Sequence, residues 1–280
     1  MRLLKSIAEL REARAAAPGS VGLVPTMGCL HEGHLSLVRL ARAKSDTVVV
    51  SIFVNPTQFG PGEDFERYPR TMEADLAALE QEGVDLVFAP PVHEIYPDDF
   101  DSVVEVGSLT RRLEGEARPG HFRGVTTVVA KLINLVQPDR MYMGEKDGQQ
   151  LRVLRKMVKD LNFAVEVVGA PTIREADGLA LSSRNRYLTP EERRAATVIP
   201  RALAAARERF GAGERDARSL CEVVRAQLSA EPLAQIGYIS LADSETLEDL
   251  ERVDGRAMLS VAVRIGSTRL IDNIVLEPGA

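Results

Sequence analysis

The first two thirds of the chain alternate between short, nearly continuous apolar runs and longer segments in which apolar residues recur every three to four positions. Residues 47–54, TVVVSIFV, are almost wholly β-branched or apolar, the pattern of a parallel strand buried on both faces. Residues 21–24, 84–89, 140–143 and 164–168 have the same character over shorter lengths and predict further strands. Between them the helical period runs through 33–44, 71–82, 125–136 and 149–161, and the first twenty residues read as an amphipathic helix carrying both signs of charge. This order predicts an α/β fold built on an open, doubly wound, mainly parallel sheet. Such sheets bind ligands outside the C-terminal ends of their strands, so the loops that follow strands are where chemistry is expected.

After about residue 173 the rhythm changes to a polar loop, Ala/Arg-rich helical sequence over 190–230, and three strand-like runs near Ile236, Met258 and Leu270. The division predicts a larger domain over 1–173 and a smaller α+β domain over 174–280, since 280 residues exceed a typical single domain. The composition, 45% hydrophobic and 27% charged, supports a substantial core and argues against disorder. Net charge is −6, with no long basic run, so a polynucleotide partner is disfavoured. No segment has the uninterrupted apolar length of a membrane span or signal peptide, and the expected location is the cytosol, away from membranes. Cys29 and Cys221 lie far apart without CxxC or Cys/His spacing, which leaves a disulfide framework and a structural zinc site without support.

Four segments carry candidate chemistry, three of them after strands and one in the polar loop where the two domains meet. The first is Met27-Gly28-Cys29-Leu30-His31-Glu32-Gly33-His34, a tight turn that opens an amphipathic helix. Helix N-terminal amides and imidazole donors converging there would suit phosphate, and Gly33 would let a nucleotide approach the backbone. The alternatives are a self-satisfied polar cap, or zinc; however, His31 and His34 are three apart rather than four, with no obvious third ligand. The second is Asn55-Pro56-Thr57-Gln58, whose neutral amides suit a hydroxylated carboxylate, Gln58 donating to one oxygen while accepting from a hydroxyl. In the third, Gly144-Glu145-Lys146-Asp147, Lys146 could meet triphosphate charge and Asp147 could cap the helix, bind ribose or position magnesium. In the fourth, Leu181-Ser182-Ser183-Arg184, small hydroxyl residues beside an arginine suit a clamp on phosphates. Taken singly, a turn residue explains the second segment and a solvated cap the third better than binding does, and Ser-Ser-Arg alone says little.

Taken together, PTMGCLHEGH, SIFVNPTQFG, RYPRT, HFRGVTTVVAKL, GEKDGQQL and DGLALSSRNRYL, in that order across most of the chain, resemble the pantoate–β-alanine ligase family. The resemblance implies a Rossmann-like nucleotidyltransferase domain and a lid, with a His-x-Gly-His turn similar to that of class I aminoacyl-tRNA synthetases. It implies condensation of (R)-pantoate with β-alanine to give pantothenate, AMP and pyrophosphate, using ATP and Mg2+, through a pantoyl adenylate. Met27, Gly28, Cys29, Leu30, His31, Glu32, Gly33 and His34 would hold ATP, together with Gly144, Glu145, Lys146, Asp147, Ile173, Leu181, Ser182, Ser183 and Arg184. His34 would be the proton donor, with His31, Lys146 and Arg184 as its catalytic companions on the phosphates. Gln58 and Gln150 would grip pantoate beside Asn55, and Val128 and Val129 would line its dimethyl end. The resemblance also implies a homodimer formed through the larger domain; protein ligands of magnesium are not specified by it.

Three positions depart from the family pattern. Gly148 stands where an aromatic is usual, with the expectation of a looser helix start; Thr57 replaces a larger apolar residue; and Cys29 fills a position usually Ala or Asn. Two other readings stay open at this level, a nucleotidylyltransferase acting on a phosphorylated acceptor and a nucleotide-binding sensor without turnover.

Overall fold

Six parallel strands form one sheet: β1 (Arg2–Leu4), β2 (Val21–Thr26), β3 (Thr47–Ile52), β4 (Leu86–Phe88), β5 (Arg140–Gly144) and β6 (Glu166–Ala170), in the order β1-β4-β3-β2-β5-β6. The computed structural model describes residues 1–279. Every residue of β3 is buried, as its unbroken β-branched sequence requires of a strand covered on both faces. β2 pairs with β3 on one side and β5 on the other, which makes it the point where the strand order reverses. Its C-terminal end therefore opens into the crevice where an open α/β sheet binds ligands.

The connections carry α1 (Ile7–Ala16), α2 (Glu32–Arg42), α3 (Met72–Gln81), the single turns α4 (Val92–Ile95) and α5 (Glu114–Ala117), α6 (His121–Val136) and α7 (Gly148–Asp160). The sequence reading merged β1 with α1. The boundary is drawn by Ser6 and Glu9, a capping box in which the Glu9 amide donates to Ser6 Oγ at 3.2 Å and the Ser6 amide to Glu9 Oε2 at 2.9 Å. α6 begins a turn earlier than its apolar period, at His121, and His121, Phe122 and Gly124 of that first turn are buried while Arg123 is exposed.

Residues 146–148 and Thr172 onward form a second compact unit, distinct from the unit made of Met1–Glu145 and Gln149–Pro171. It contains α8 (Pro190–Ala195), α9 (Val198–Gly211), α10 (Ala217–Ser229) and an antiparallel sheet of β7 (Ala234–Asp243), β8 (Ala257–Ile265) and β9 (Thr268–Leu276). Leu203, Leu220, Val224, Leu259 and Val261 are among the residues of its core. Gly148 is the first residue of α7. A Cβ at Gly148 would lie 2.8 Å from Met258 Sδ and 3.0 Å from Asn273 Nδ2, so the glycine permits a close packing contact.

Candidate active site

The turn after β2 is fixed almost entirely through its backbone. Thr26 Oγ1 donates to the Ser51 carbonyl at 2.7 Å and accepts from the Gly28 amide at 3.2 Å. Gly28 and Cys29 follow at φ +80° and +51°, and the left-handed region is unfavourable for a non-glycine residue such as Cys29. Asp75, buried on α3, holds it: the Cys29 amide donates to Oδ2 and the Leu30 amide to Oδ1, each at 2.8 Å. Thr71 Oγ1 adds a third hydrogen bond to Oδ1 at 3.1 Å. Asp75 carried no functional signal in the sequence, because an acidic residue in a helix's first turn reads as ordinary dipole complementation.

His31 caps α2. The Gly33 amide donates to His31 Nδ1 at 3.1 Å, the His31 amide to His34 Nδ1 at 3.3 Å, and the His34 amide to the His31 carbonyl at 2.8 Å. The reciprocal cap engages these three amides inside the turn. With both Nδ1 atoms accepting N–H bonds, each neutral ring carries its proton on Nε2, and the rings lie with centroids 4.1 Å apart. Glu32 points its carboxylate to Arg39 on the same helix, an exposed ion pair. Among the described residues no group of three or more His, Cys, Asp or Glu side chains could hold a metal.

The turn after β3 is held mainly by neutral groups, with one longer bond from Arg118 Nη2 to the Gln58 carbonyl at 3.4 Å. Asn55 is buried; its Nδ2 donates to Gln58 Oε1 at 3.0 Å and to the Gly124 carbonyl at 3.1 Å. Its Oδ1 accepts from the Thr57 hydroxyl and the Tyr96 hydroxyl, each at 2.9 Å. Asn55 therefore orients Gln58 with every polar atom of its amide engaged by protein. Thr57 supplies one of those hydroxyls. Gln58 Nε2 lies 3.0 Å from Met27 Sδ, which brings this turn and the histidine turn together.

Gly124 of α6 makes the second turn possible, because a Cβ there would fall 2.4 Å from the Thr57 carbonyl oxygen. One turn earlier on α6, His121 Nδ1 donates to the Gln58 carbonyl at 2.8 Å, while Nε2 accepts from Arg118 Nη1 at 3.2 Å. Burial, and then the Arg118 charge, push His121 down to about 4, so the ring is neutral at physiological pH. Arg118 closes the network on Glu63 with two hydrogen bonds of 2.6 Å. Burial raises the Glu63 carboxyl, but Arg118 outweighs it and the net shift is downward. Tyr96, Arg118, Glu63 and His121 were not assigned from sequence, though HFRG is among the motifs that carry the resemblance. Val128 and Val129 are buried farther along α6, and Gln150 is half-buried on α7. Its neighbour Gln149 is structural: Oε1 accepts the Glu114 amide at 2.9 Å and Nε2 donates to the Leu109 and Arg112 carbonyls at 2.8 Å each.

Gly144 ends β5 and Glu145 follows it in the larger unit. In the second unit, Lys146 Nζ stands 3.9 Å from Asp147 Oδ1, the outer limit of an ion pair, and the Lys146 carbonyl accepts from Asn273 Nδ2 at 2.8 Å. Ile173 and Leu181 come together across a short hairpin, the Leu181 amide donating to the Ile173 carbonyl at 3.0 Å. Ser182 caps a 3-10 turn, Ser183–Tyr187, by accepting from the Arg184 amide at 3.3 Å. Arg174 braces this hairpin with two hydrogen bonds to buried Asp272, at 2.7 and 2.9 Å.

Known proteins match this chain over its length. The pantoate-beta-alanine ligase family profile aligns with residues 2–275. Pantothenate synthetase from Roseiflexus sp. (strain RS-1) is 61% identical over 277 residues, covering 99% of this chain and 100% of that one. The crystal structure of pantothenate synthetase from Thermus thermophilus superposes with a TM-score of 0.94 at 54% identity, over 98% of this chain and 99% of that one. Pantoate-beta-alanine ligase from Francisella tularensis, complexed with beta-gamma ATP and beta-alanine, gives a TM-score of 0.82 at 34% identity, over 98% and 97% of the two chains. A parallel sheet with its histidine and amide turns at the strand-order reversal, and a match running from residue 2 to residue 275, place the chain in the pantoate-beta-alanine ligase family.

Proposed function

We propose that the enzyme, which condenses pantoate with β-alanine at the expense of ATP, does so through a bound pantoyl adenylate. A carboxylate is a poor electrophile, because its charge repels the amine and oxide is a poor leaving group. In the first step a pantoate carboxylate oxygen attacks the α-phosphorus, the bond from that phosphorus to the bridging oxygen breaks, and pyrophosphate departs. In the second step the neutral amine of β-alanine attacks the acyl carbon, AMP leaves, and the amine gives up one proton. The work of the protein is alignment and stabilisation of phosphate charge.

The observation that carries this reading is the 3.0 Å contact between Gln58 and Met27, which sets the amide turn against the histidine turn. His31 and His34 would offer their Nε2–H groups to the phosphates, His34 being the proton or hydrogen-bond donor. The rest of the Met27–His34 turn, with Gly28, Cys29, Leu30, Glu32 and Gly33, would shape the nucleotide site. Lys146 and Arg184 would take triphosphate charge, and Gly144, Glu145, Asp147, Ile173, Leu181, Ser182 and Ser183 would complete the nucleotide contacts. Gln58 and Gln150 would bind the hydroxyls and carboxylate of pantoate, with Val128 and Val129 against its methyls and Asn55 as the brace.

Magnesium, which offsets triphosphate charge, would come with the nucleotide and be held by phosphate oxygens and water, as Mg2+ commonly is, with Asp147 a candidate for an outer contact. Membership of the family supports a homodimer through the larger unit and a cytosolic workplace, and no described helix is long and apolar enough to cross a membrane.

The test is pantoate-dependent exchange of labelled pyrophosphate into ATP, without β-alanine. The wild type should exchange promptly, and His34→Ala should lose about 10²–10³-fold in rate, the scale for removing one donor to a developing anion. ATP binding with no exchange under any condition would overturn the ligase reading and favour a sensor.

A further inference from the structure

We infer that Asp75 is a positioning residue of the nucleotide turn, an internal anion that presets the backbone on which His31 and His34 stand. The inference rests on the nucleotide-site reading above. Two consecutive amides, those of Cys29 and Leu30, converge on the two oxygens of one carboxylate at 2.8 Å each, the geometry in which a backbone concavity takes up an external anion. Here the protein supplies that anion itself. The carboxylate is 3% exposed and is held from its own side by the Thr71 hydroxyl at 3.1 Å. Gly28 is what admits it, because a Cβ at that position would lie 3.0 Å from Asp75 Oδ2 and 3.0 Å from Ile52 Cγ2.

Two consequences follow for chemistry. The amides of Gly28, Cys29, Leu30, His31, Gly33 and His34 all have acceptors within the protein, so the turn reaches ATP already shaped and presents imidazole Nε2 groups to it. The left-handed Cys29, φ +51°, is maintained by this carboxylate, and the chain reaches His31 two residues later. Loss of Asp75 would let the turn relax and move both imidazoles; a misplacement of about 1 Å is worth about 10²-fold in rate.

A cavity of about 370 Å³ borders the carboxylate, with Met27, Gly28, Thr71 and Asp75 among its walls. It provides a test that packing alone would not satisfy. In Asp75→Ala the emptied concavity is open to a small carboxylate from solution. kcat/KM for ATP in pantoate-dependent pyrophosphate exchange should fall about 10²-fold, and sodium formate should restore at least about tenfold of it in a saturable manner, while sodium chloride at matched ionic strength should not. Asp75→Asn, nearly isosteric, keeps one acceptor oxygen; it covers the case in which the alanine variant fails to fold. It should lose about tenfold in kcat/KM for ATP with the KM for pantoate little changed.

A wild-type value of kcat/KM for ATP in either folded variant would overturn the inference. So would a loss in folded Asp75→Ala that formate does not reverse, or a loss in Asp75→Asn that falls on pantoate rather than ATP. Failure of the wild type itself to exchange would instead overturn the ligase reading, and so the two failures are distinguishable.

Discussion

The histidine turn at residues 27–34 and the amide turn at 55–58 stand side by side and are held in opposite ways. The first is fixed by a buried charge: one carboxylate grips two amides, and a strained residue stays in place because of it. The second is fixed mainly by neutral groups and by volume: Asn55, Thr57, Tyr96 and an uncharged His121 share most of the hydrogen bonds, Arg118 adds a longer one to the Gln58 carbonyl, and a glycine lets α6 touch the turn. The difference matches the ligands proposed for the two turns. A turn that meets a polyanion can hold its own amides with a fixed charge and leave the ring donors outward. A turn proposed to read hydroxyls beside a carboxylate takes one charged contact, Arg118 Nη2 donating to the Gln58 carbonyl at 3.4 Å, with that charge paired to Glu63.

The contrast can be broken most forcefully at Gly124. In Gly124→Ala the new methyl would stand 2.4 Å from the Thr57 carbonyl oxygen, so backbone must move. Overpacking of this kind should cost about 3 kcal/mol in a denaturant titration and should raise the KM for pantoate more than that for ATP. An ATP-selective defect would show that the two turns are one mechanical unit.

An effect of similar size belongs to pH. His121 falls from 6.5 to about 4 in the folded protein, so folding excludes a proton that the unfolded chain accepts. Its stabilising contribution is fully present above pH 6.5, is lost as pH falls through that window, and is gone below about 4. At 1.36 kcal/mol per unit the difference approaches about 3 kcal/mol. Acid unfolding of the wild type should be steeper across that window than that of His121→Gln, whose side chain does not titrate. The smallest effect should come from Tyr96→Phe, which removes the 2.9 Å hydrogen bond to Asn55 while leaving Thr57 on the same oxygen. About 1 kcal/mol of stability is expected, with catalytic constants near those of the wild type.

Much of the scaffold was legible because its signals are local. β3 announces itself by six consecutive buried residues, and the histidine turn by a strand running directly into an amphipathic helix. β1 was hidden because three residues cannot establish a period, and its place is decided by pairing with β4 some eighty residues later. The first turn of α6 was hidden because His121 and Gly124 interrupt the apolar pattern for reasons that lie on another segment: one donates to the Gln58 carbonyl and the other makes room for Thr57. Asp75 shows the limit most clearly. Its side chain acts 46 and 45 residues away, on Cys29 and Leu30, and nothing in the run TMEADLAALE distinguishes it from an ordinary helix start.

The strand order also sets a schedule for synthesis on the ribosome. β2 and β3 can pair as soon as both emerge, but the other edge of β2 waits for β5, and β1 waits for β4. At roughly 5–20 residues per second, the strand that will carry the histidines keeps one side open for on the order of ten seconds, about the time needed to make the chain up to Arg140. During that interval a nascent sheet of Val-rich strands offers an unpaired edge to any other growing chain. The same strand that lies at the ligand crevice of the finished protein is therefore its most aggregation-exposed element during translation, and the one with most to gain from a chaperone that binds before residue 140.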